Sequence, residues 1–344
     1  MPKEHIPYLD GWRGLAIGMV LMQHFSGERV INLGLFGVSL FFVLSGLLMS
    51  RILFEQRTPI RIFYRHRVSR ILPVFLLFVA VCWIGWGRGA HGWELVSTLT
   101  FTRTYFIHPM IWYSRVPDGN LWSLNVEEHC YMLLAAIAAF SALRIKAAPI
   151  LFSLAGMTLL ALAIHLHFYR RDHSFPYMLT TECSSGALLL SAAYRRVYSK
   201  FTVPAWAPAL ALMLGAFCYL EHLPWREYLL ARYVASPVLL AFSVNHIQES
   251  WRWITRSLEW APLRQLGILS YSIYLWQQIF MKHGDGFPYH TAVLGAIGAG
   301  VVSYYMFERP ARGWLNTHWG VKNQETLQTA LLPRTSPLRS RSQG

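Results

Sequence analysis

Charge is scarce in this sequence of 344 residues: Lys, Arg, Asp and Glu make up 14%, against 54% apolar side chains. Soluble domains carry about 25% charged residues, so a water-soluble globule is excluded. Acid is scarcer than base, with 17 Asp plus Glu against 31 Lys plus Arg and a net charge of +14. Beside so large an apolar excess, that imbalance points to membrane lipid rather than nucleic acid, because cations collect on the cytoplasmic side of a membrane. Cysteine is sparse too. Cys82, Cys130, Cys183 and Cys218 lie in or beside apolar runs and none belongs to a CxxC pair, so neither a disulfide framework nor a zinc site is expected. GxGxxG, Walker A, GxSxG and HExxH patterns are missing, which removes the common nucleotide, serine-hydrolase and metalloprotease signatures. His165 and His167, two residues apart, fall on opposite sides of a helix, so no metal is expected there. The first apolar run contains Arg13 and His24 and lacks a small-residue cleavage site, so it does not read as a cleaved signal peptide.

What is abundant is apolar runs of spanning length. About 20 mostly apolar residues cross the hydrocarbon as a helix, and residues 30–50, 71–87 and 204–220 contain no Asp, Glu, Lys or Arg. With weaker candidates added, the sequence predicts an all-α polytopic transmembrane bundle of about ten spans, near 10–27, 33–53, 71–88, 121–143, 149–167, 177–194, 204–220, 228–247, 264–282 and 290–308. Residues 94–107 read as a re-entrant or interfacial segment. With the N-terminus placed in the cytoplasm, 21 Lys and Arg fall in inner loops and nine in outer ones, so both termini are expected to be cytoplasmic. The reading divides the chain into a membrane domain, 1–314, and a polar cytoplasmic tail, 315–344, expected to be disordered.

An ionisable side chain inside a span costs roughly 2.5–3.5 kcal/mol on insertion scales, so each one calls for a partner or a purpose. Arg13 and His24 are 11 residues apart, which on a helix is about 20° past three turns and about 16 Å of rise. Both therefore point the same way. Arg13 also reads as a snorkelling residue or a partner of Asp10, and His24 as a backbone-bonded core residue. Glu127 and Glu128 enter the membrane in LWSLNVEEHCY. Glu127, placed with His24 in the outer half, is read either as the acid that sets the imidazole tautomer or as half of an inter-helix ion pair. Arg61, Arg65, Arg67 and Arg70 stand in the inner segment before the third span with no acid among them. Arg67 and Arg70 share a helix face and suit a phosphate, although a basic inner loop is also the ordinary topology signal. In the outer loop, 88–121, Tyr105, His108, Trp112, Tyr113, Arg115 and Asp118 suit a sugar ring or an interfacial aromatic belt equally well.

The sequence resembles the acyltransferase 3 family of integral-membrane acyltransferases. The resemblance is carried by YLDGWRGLAIGMVLMQH (8–24) with its Arg, ten residues, His pattern, by GVSLFFVLSG (37–46), and by RHRVSRILP (65–73) with its RxxR. LWSLNVEEHCY (121–131), LGILSYSIYLWQQ (266–278) and SYYMFERP (303–310) extend it over almost the whole membrane portion. It implies transfer of an acyl group, usually acetyl, from cytosolic acyl-CoA to a hydroxyl of a sugar or glycolipid such as an envelope polysaccharide or lipopolysaccharide, at a bacterial cytoplasmic membrane. It further implies that His24 is catalytic with Arg13 its motif partner, and that Arg67 and Arg70 lie near the CoA entrance. Glu127 matches the first acid of its block, beside Trp122 and Ser123. Acyl-CoA would be a substrate, with no permanently bound cofactor and no metal. Two departures stand out. Gln277 occupies a position where many members have His, and no SGNH-type hydrolase segment follows within these residues, so an acyl relay would need a second protein or would not exist. Combined with the spacing, the resemblance predicts phosphates held by Arg13, Arg67 and Arg70, with His24 oriented by Glu127 and the acceptor met by Trp122, Ser123, Trp112 and Tyr113. A proton-coupled transporter, or a membrane scaffold, is the competing reading of the same intramembrane charges.

Overall fold

A computed structural model describes residues 6–26, 30–106, 114–140, 144, 146–168, 178–222, 229–283 and 288–319. Among them there is no strand; the chain forms helices α1 (Pro7–Ser26), α2 (Leu33–Ser50), α3 (Ile60–Trp86), α4 (Gly92–Leu99), α5 (Leu121–Ala139), α6 (Ala147–Phe168) and α7 (Gly186–Arg195). They continue as α8 (Ala207–Phe217), α9 (Ser236–His246), α10 (Arg252–Leu258), α11 (Ala261–His283), α12 (Tyr289–Ser303) and α13 (Arg309–His318). Each of the ten segments expected to span contains a helix. Among the described residues, four stretches are both long and apolar enough to cross a membrane: Leu33–Glu55, Ile60–Trp86, Ala147–His165 and Tyr289–His318. The last is continuous because a π turn, Tyr304–Glu308, joins α12 to α13. α13 also carries the helix one turn past residue 314; residues 320–344 lie outside the described ones.

The main difference from expectation is at the basic segment. It is not a loop before the third span but the first turns of α3, a single helix of 27 residues with Pro73 inside it. Its arginines depress local hydropathy without breaking the helical period. Ile62 and Phe63 are buried in the first turn, and Ile71, Val74, Phe75, Phe78, Val79 and Cys82 continue the apolar stripe at the i, i+3, i+4, i+7 spacing of one helix face. Arg67 and Arg70 thus sit two to three turns inside the helix. The 94–107 segment forms α4 and a 3₁₀ turn at Arg103–Tyr105. Glu94, buried in α4, accepts from Arg103 Nη2 and Ser114 Oγ, each at 3.1 Å, which ties this outer segment together. Nearby, burial pushes the Asp118 carboxyl up to about 6, opposed by Arg103, by a hydrogen bond from Thr98 and by Lys282.

α1 lies between α2 and α11 and touches both along much of its length. Its contact with α11 is backbone to backbone. A Cβ on Gly14 would fall 2.0 Å from the Leu263 carbonyl oxygen, and one on Gly267 would fall 1.8 Å from the Asp10 carbonyl oxygen. Only glycine permits that approach, and it sets the depth at which polar groups of the two helices meet. Gly14→Ala is expected to force the helices apart, destabilising the protein by about 1–3 kcal/mol and lowering the thermal midpoint of the purified protein by several degrees. An unchanged midpoint would show that the contact is not this tight.

Candidate active site

Two matched stripes build the site. On α1, Arg13, Ile17, Val20 and His24 follow at i, i+4, i+7 and i+11; on α11, Ser270, Tyr274 and Gln277 follow at i, i+4 and i+7. The helices run parallel, so the stripes face each other in order. Arg13 Nε and Nη2 donate to Ser270 Oγ at 3.3 and 3.2 Å, and about 16 Å further along α1 His24 Nδ1 lies 3.3 Å from Gln277 Oε1. The shared direction of Arg13 and His24 expected from spacing is therefore present. Their partners lie on α11, more than 250 residues away in sequence.

Between α1, α2, α3, α5 and α11 is a cavity of about 100 Å³. Its wall is apolar over α2, with Val38, Phe41, Phe42, Leu44 and Leu48, and charged where Arg13, Arg67, Arg70 and Glu127 reach it. Ser45, Ser123, Tyr131, Ser270 and Tyr274 add hydroxyls. Three guanidinium groups face one carboxylate, so the cavity favours an anion.

The arginines are not equivalent. Arg67 Nε and Nη2 donate to Glu128 Oε1 at 3.1 and 2.9 Å, its Nη2 is 3.6 Å from Glu127 Oε2, and its guanidinium lies 3.6 Å above the Tyr131 ring. Two carboxylates and a ring thus occupy Arg67. Arg70, a turn further along α3, makes no hydrogen bond or ion pair among the described residues and faces the cavity. Arg67 and Arg70, expected to clamp a phosphate, both reach the cavity, Arg67 already held by Glu128 and Glu127. Arg67, expected in the inner segment, and Glu127, expected in the outer half, are 3.6 Å apart, so they do not lie at opposite depths of the bundle. The two meet, because the helical start of α3 carries Arg67 into the bundle.

Glu127 is not the partner of His24. Its Oε1 accepts a short hydrogen bond from Ser45 Oγ, its Oε2 faces Arg67, and the imidazole meets Gln277 instead. His24 stands at the upper end of the site rather than in the cavity wall. Tyr274 links the two. It lines the cavity and lies three residues, about 4.5 Å of rise, before Gln277 on α11. Ser123 Oγ and Tyr274 OH are 2.7 Å apart, and Tyr274 OH donates to the Asn120 carbonyl at 3.0 Å.

Of the residues expected to meet the acceptor, Ser123 lines this cavity, whereas Trp122 packs edge-on against Phe42 at 6.0 Å. Trp122 faces a second recess with Tyr219, Arg232 and Tyr233. Trp112 and Tyr113 lie outside the described residues, as does His108. Among the described residues, no three of His, Cys, Asp and Glu come together in a way that would hold a metal ion. Sequence reasoning missed Ser45, Tyr131, Ser270 and Tyr274. The i, i+4, i+7 spacing of Ser270, Tyr274 and Gln277 within an apolar helix was the available signal.

The family model described as an acyltransferase domain matches residues 6–306. YrhL of Bacillus subtilis (strain 168), provisionally named a peptidoglycan O-acetyltransferase, is 28% identical over 309 residues, covering 79% of this chain and 48% of its own. The O-acetyltransferase OatA of Staphylococcus aureus (strain NCTC 8325 / PS 47) is 24% identical over 312 residues, covering 79% of this chain and 50% of its own. The chain thus spans about half the length of the curated relatives it matches. No solved structure matches it.

Proposed function

The chain belongs to the acyltransferase-domain family, and on that premise we propose that it is a multi-pass membrane O-acyltransferase, moving an acetyl group from cytosolic acyl-CoA to a hydroxyl of an envelope glycan. Polysaccharide, lipopolysaccharide and other glycoconjugates share the acceptor chemistry, and the names of the relatives favour a polysaccharide. The proposal places the protein in the bacterial cytoplasmic membrane with about ten spans and both termini in the cytoplasm.

The observation that carries this reading is the cationic cavity ending one helical turn below the His24 and Gln277 pair. Coenzyme A has phosphates at one end and a thioester at the end of a long uncharged arm. Arg70 and Arg13 hold the phosphates, the arm runs along the apolar wall of α2, and the thioester passes Tyr274 to reach His24, about 16 Å from Arg13 along α1. His24 Nε2 takes the proton of the acceptor hydroxyl as that oxygen attacks the thioester carbon. The new C–O bond forms, the C–S bond breaks, and the proton passes to the departing sulfur, giving an ester and free CoA. Glu127 and Glu128 hold Arg67, and through it the cavity wall, while membrane lipid surrounds the bundle.

The purified protein should release CoA thiol from acetyl-CoA only when a glycan acceptor is added; movement of the glycan across a vesicle wall without thiol release would assign it as a transporter instead. Arg70→Gln is expected to raise the acetyl-CoA KM about tenfold or more, the worth of a charge-assisted hydrogen bond to phosphate, with kcat within about twofold. An unchanged KM would remove Arg70 from the donor site.

A further inference from the structure

Gln277 is fully buried on α11. Its Oε1 faces His24 Nδ1 at 3.3 Å, while its Nε2 is buried without a hydrogen-bond partner among the described residues. Both ends of this amide matter. With Gln277 Oε1 toward the ring, the carboxamide oxygen only accepts, an arrangement that puts the proton of a neutral His24 on Nδ1 and leaves Nε2 of the ring bare. The other end is a donor with nothing to donate to, and a buried donor left unmatched costs about 1–3 kcal/mol. Most buried polar groups in folded proteins are paired, and those that are not call for an explanation. A ligand that brings an oxygen to this point explains it.

Tyr274 and Gln277 are consecutive members of the α11 stripe, one in the cavity wall and one against His24. Gln277 stands three residues, about 4.5 Å of rise, beyond Tyr274, so a thioester carried past the cavity end comes to the level of the unmatched amide. We propose that Gln277 is the residue that makes His24 a base and receives the acyl carbonyl: its Oε1 fixes the imidazole with Nε2 bare, and its Nε2 donates to the carbonyl oxygen as that oxygen gains negative charge. When the acceptor oxygen adds to the carbonyl carbon, the C=O π electrons move onto the carbonyl oxygen, which the amide N–H then holds; the charge returns as the C–S bond breaks. The glutamine is thereby a working part of this site and not a lost histidine. This inference rests on the acyltransfer reading, but its tautomer half is measurable without turnover.

The test uses full-length protein, labelled with ¹⁵N-histidine in detergent, with His24 assigned by difference from His24→Asn. At neutral pH wild-type His24 should show a protonated Nδ1 and an unprotonated Nε2, a pattern lost in Gln277→Leu. Under turnover with acetyl-CoA and soluble peptidoglycan fragments, Gln277→Leu should lower kcat about 10²–10³-fold, the usual loss of one oxyanion donor, while the acetyl-CoA KM stays within about twofold. Gln277→Glu keeps the acceptor toward Nδ1 and adds charge, so the acid limb of its pH profile should move up by about one unit, with kcat still reduced because the donor is gone. If Gln277→Leu does not fold, the wild-type spectrum and the Gln277→Glu profile still decide. A wild-type His24 protonated at Nε2, a Gln277→Leu protein with full kcat, or an acid limb that stays in place in Gln277→Glu would each overturn the proposal. Absence of acetyl-CoA-dependent thiol release in the wild type, with the expected tautomer present, would instead remove the acyltransfer reading.

Discussion

His24→Ala is expected to lower kcat for acetyl transfer about 10²–10⁴-fold, the range that a positioned general base supplies, with the acetyl-CoA KM nearly unchanged. The split follows from the placement of the residues. His24 lies outside the cavity wall and touches Gln277 on α11, so its removal leaves the guanidinium groups that hold the donor where they are. The signature is opposite to that of Arg70→Gln, which is expected to act on KM. Steady-state rates of thiol release and ester formation, measured on protein that elutes as a single species, distinguish the two. A His24→Ala protein with normal kcat would mean that the imidazole only braces α1 against α11.

The largest effect on stability is expected from Arg67→Leu. The side chain answers both Glu127 and Glu128, at 3.6 and 2.9 Å, and these carboxylate side chains are 19% and 15% exposed. Deleting the cation strands two adjacent acids in a setting with little water, and breaking a buried pair from one side costs about 3–5 kcal/mol. Expression and thermal midpoint in detergent should both fall sharply. Glu128→Gln in the same chain removes one stranded charge and should restore more than half of the lost midpoint. Were Arg67 a free phosphate ligand, Arg67→Leu would raise the acetyl-CoA KM and leave the midpoint alone, and Glu128→Gln would restore nothing.

Arg13 and His24 show how far the sequence could be read. Eleven residues on one helix determine that they share a face, and that relation holds in the structure. What faces them is not a local property. Ser270 and Gln277 lie in α11, brought alongside by the approach of Gly14 and Gly267, and no spacing within α1 encodes that. The expectation that Glu127 would meet His24 came from matching depth along two helices. Depth does not determine azimuth, and Glu127 turns toward α2 and α3, where Ser45 and Arg67 receive it.

The RHRVSR segment fails for a different reason. Four arginines within ten residues look like a loop to any reading based on mean hydropathy, yet Ile62, Phe63 and Ile71 keep the helix period through them. Arg61 is exposed, and the other three survive inside because each has somewhere to go. Arg67 meets two acids and Tyr131, Arg65 reaches the Trp319 carbonyl at 2.6 Å, and Arg70 opens on the cavity. At the far end, Glu308 of the FERP run is buried at the π turn and accepts from Ser272 Oγ at 2.7 Å. That bond links the end of α12 to the helix carrying the α11 stripe, a role that the motif's position near the C-terminal end of the membrane portion does not reveal.

The most direct test of the proposed chemistry is transfer across a sealed bilayer. Full-length protein is reconstituted into vesicles loaded with acetyl-CoA, glycan fragments are supplied outside, and thiol inside and ester outside are counted together. The proposal predicts one thiol for each ester, with both lost in His24→Ala and both needing more acetyl-CoA in Arg70→Gln. Ester formed only when both reactants share one side, or glycan crossing the wall with no thiol released, would contradict it.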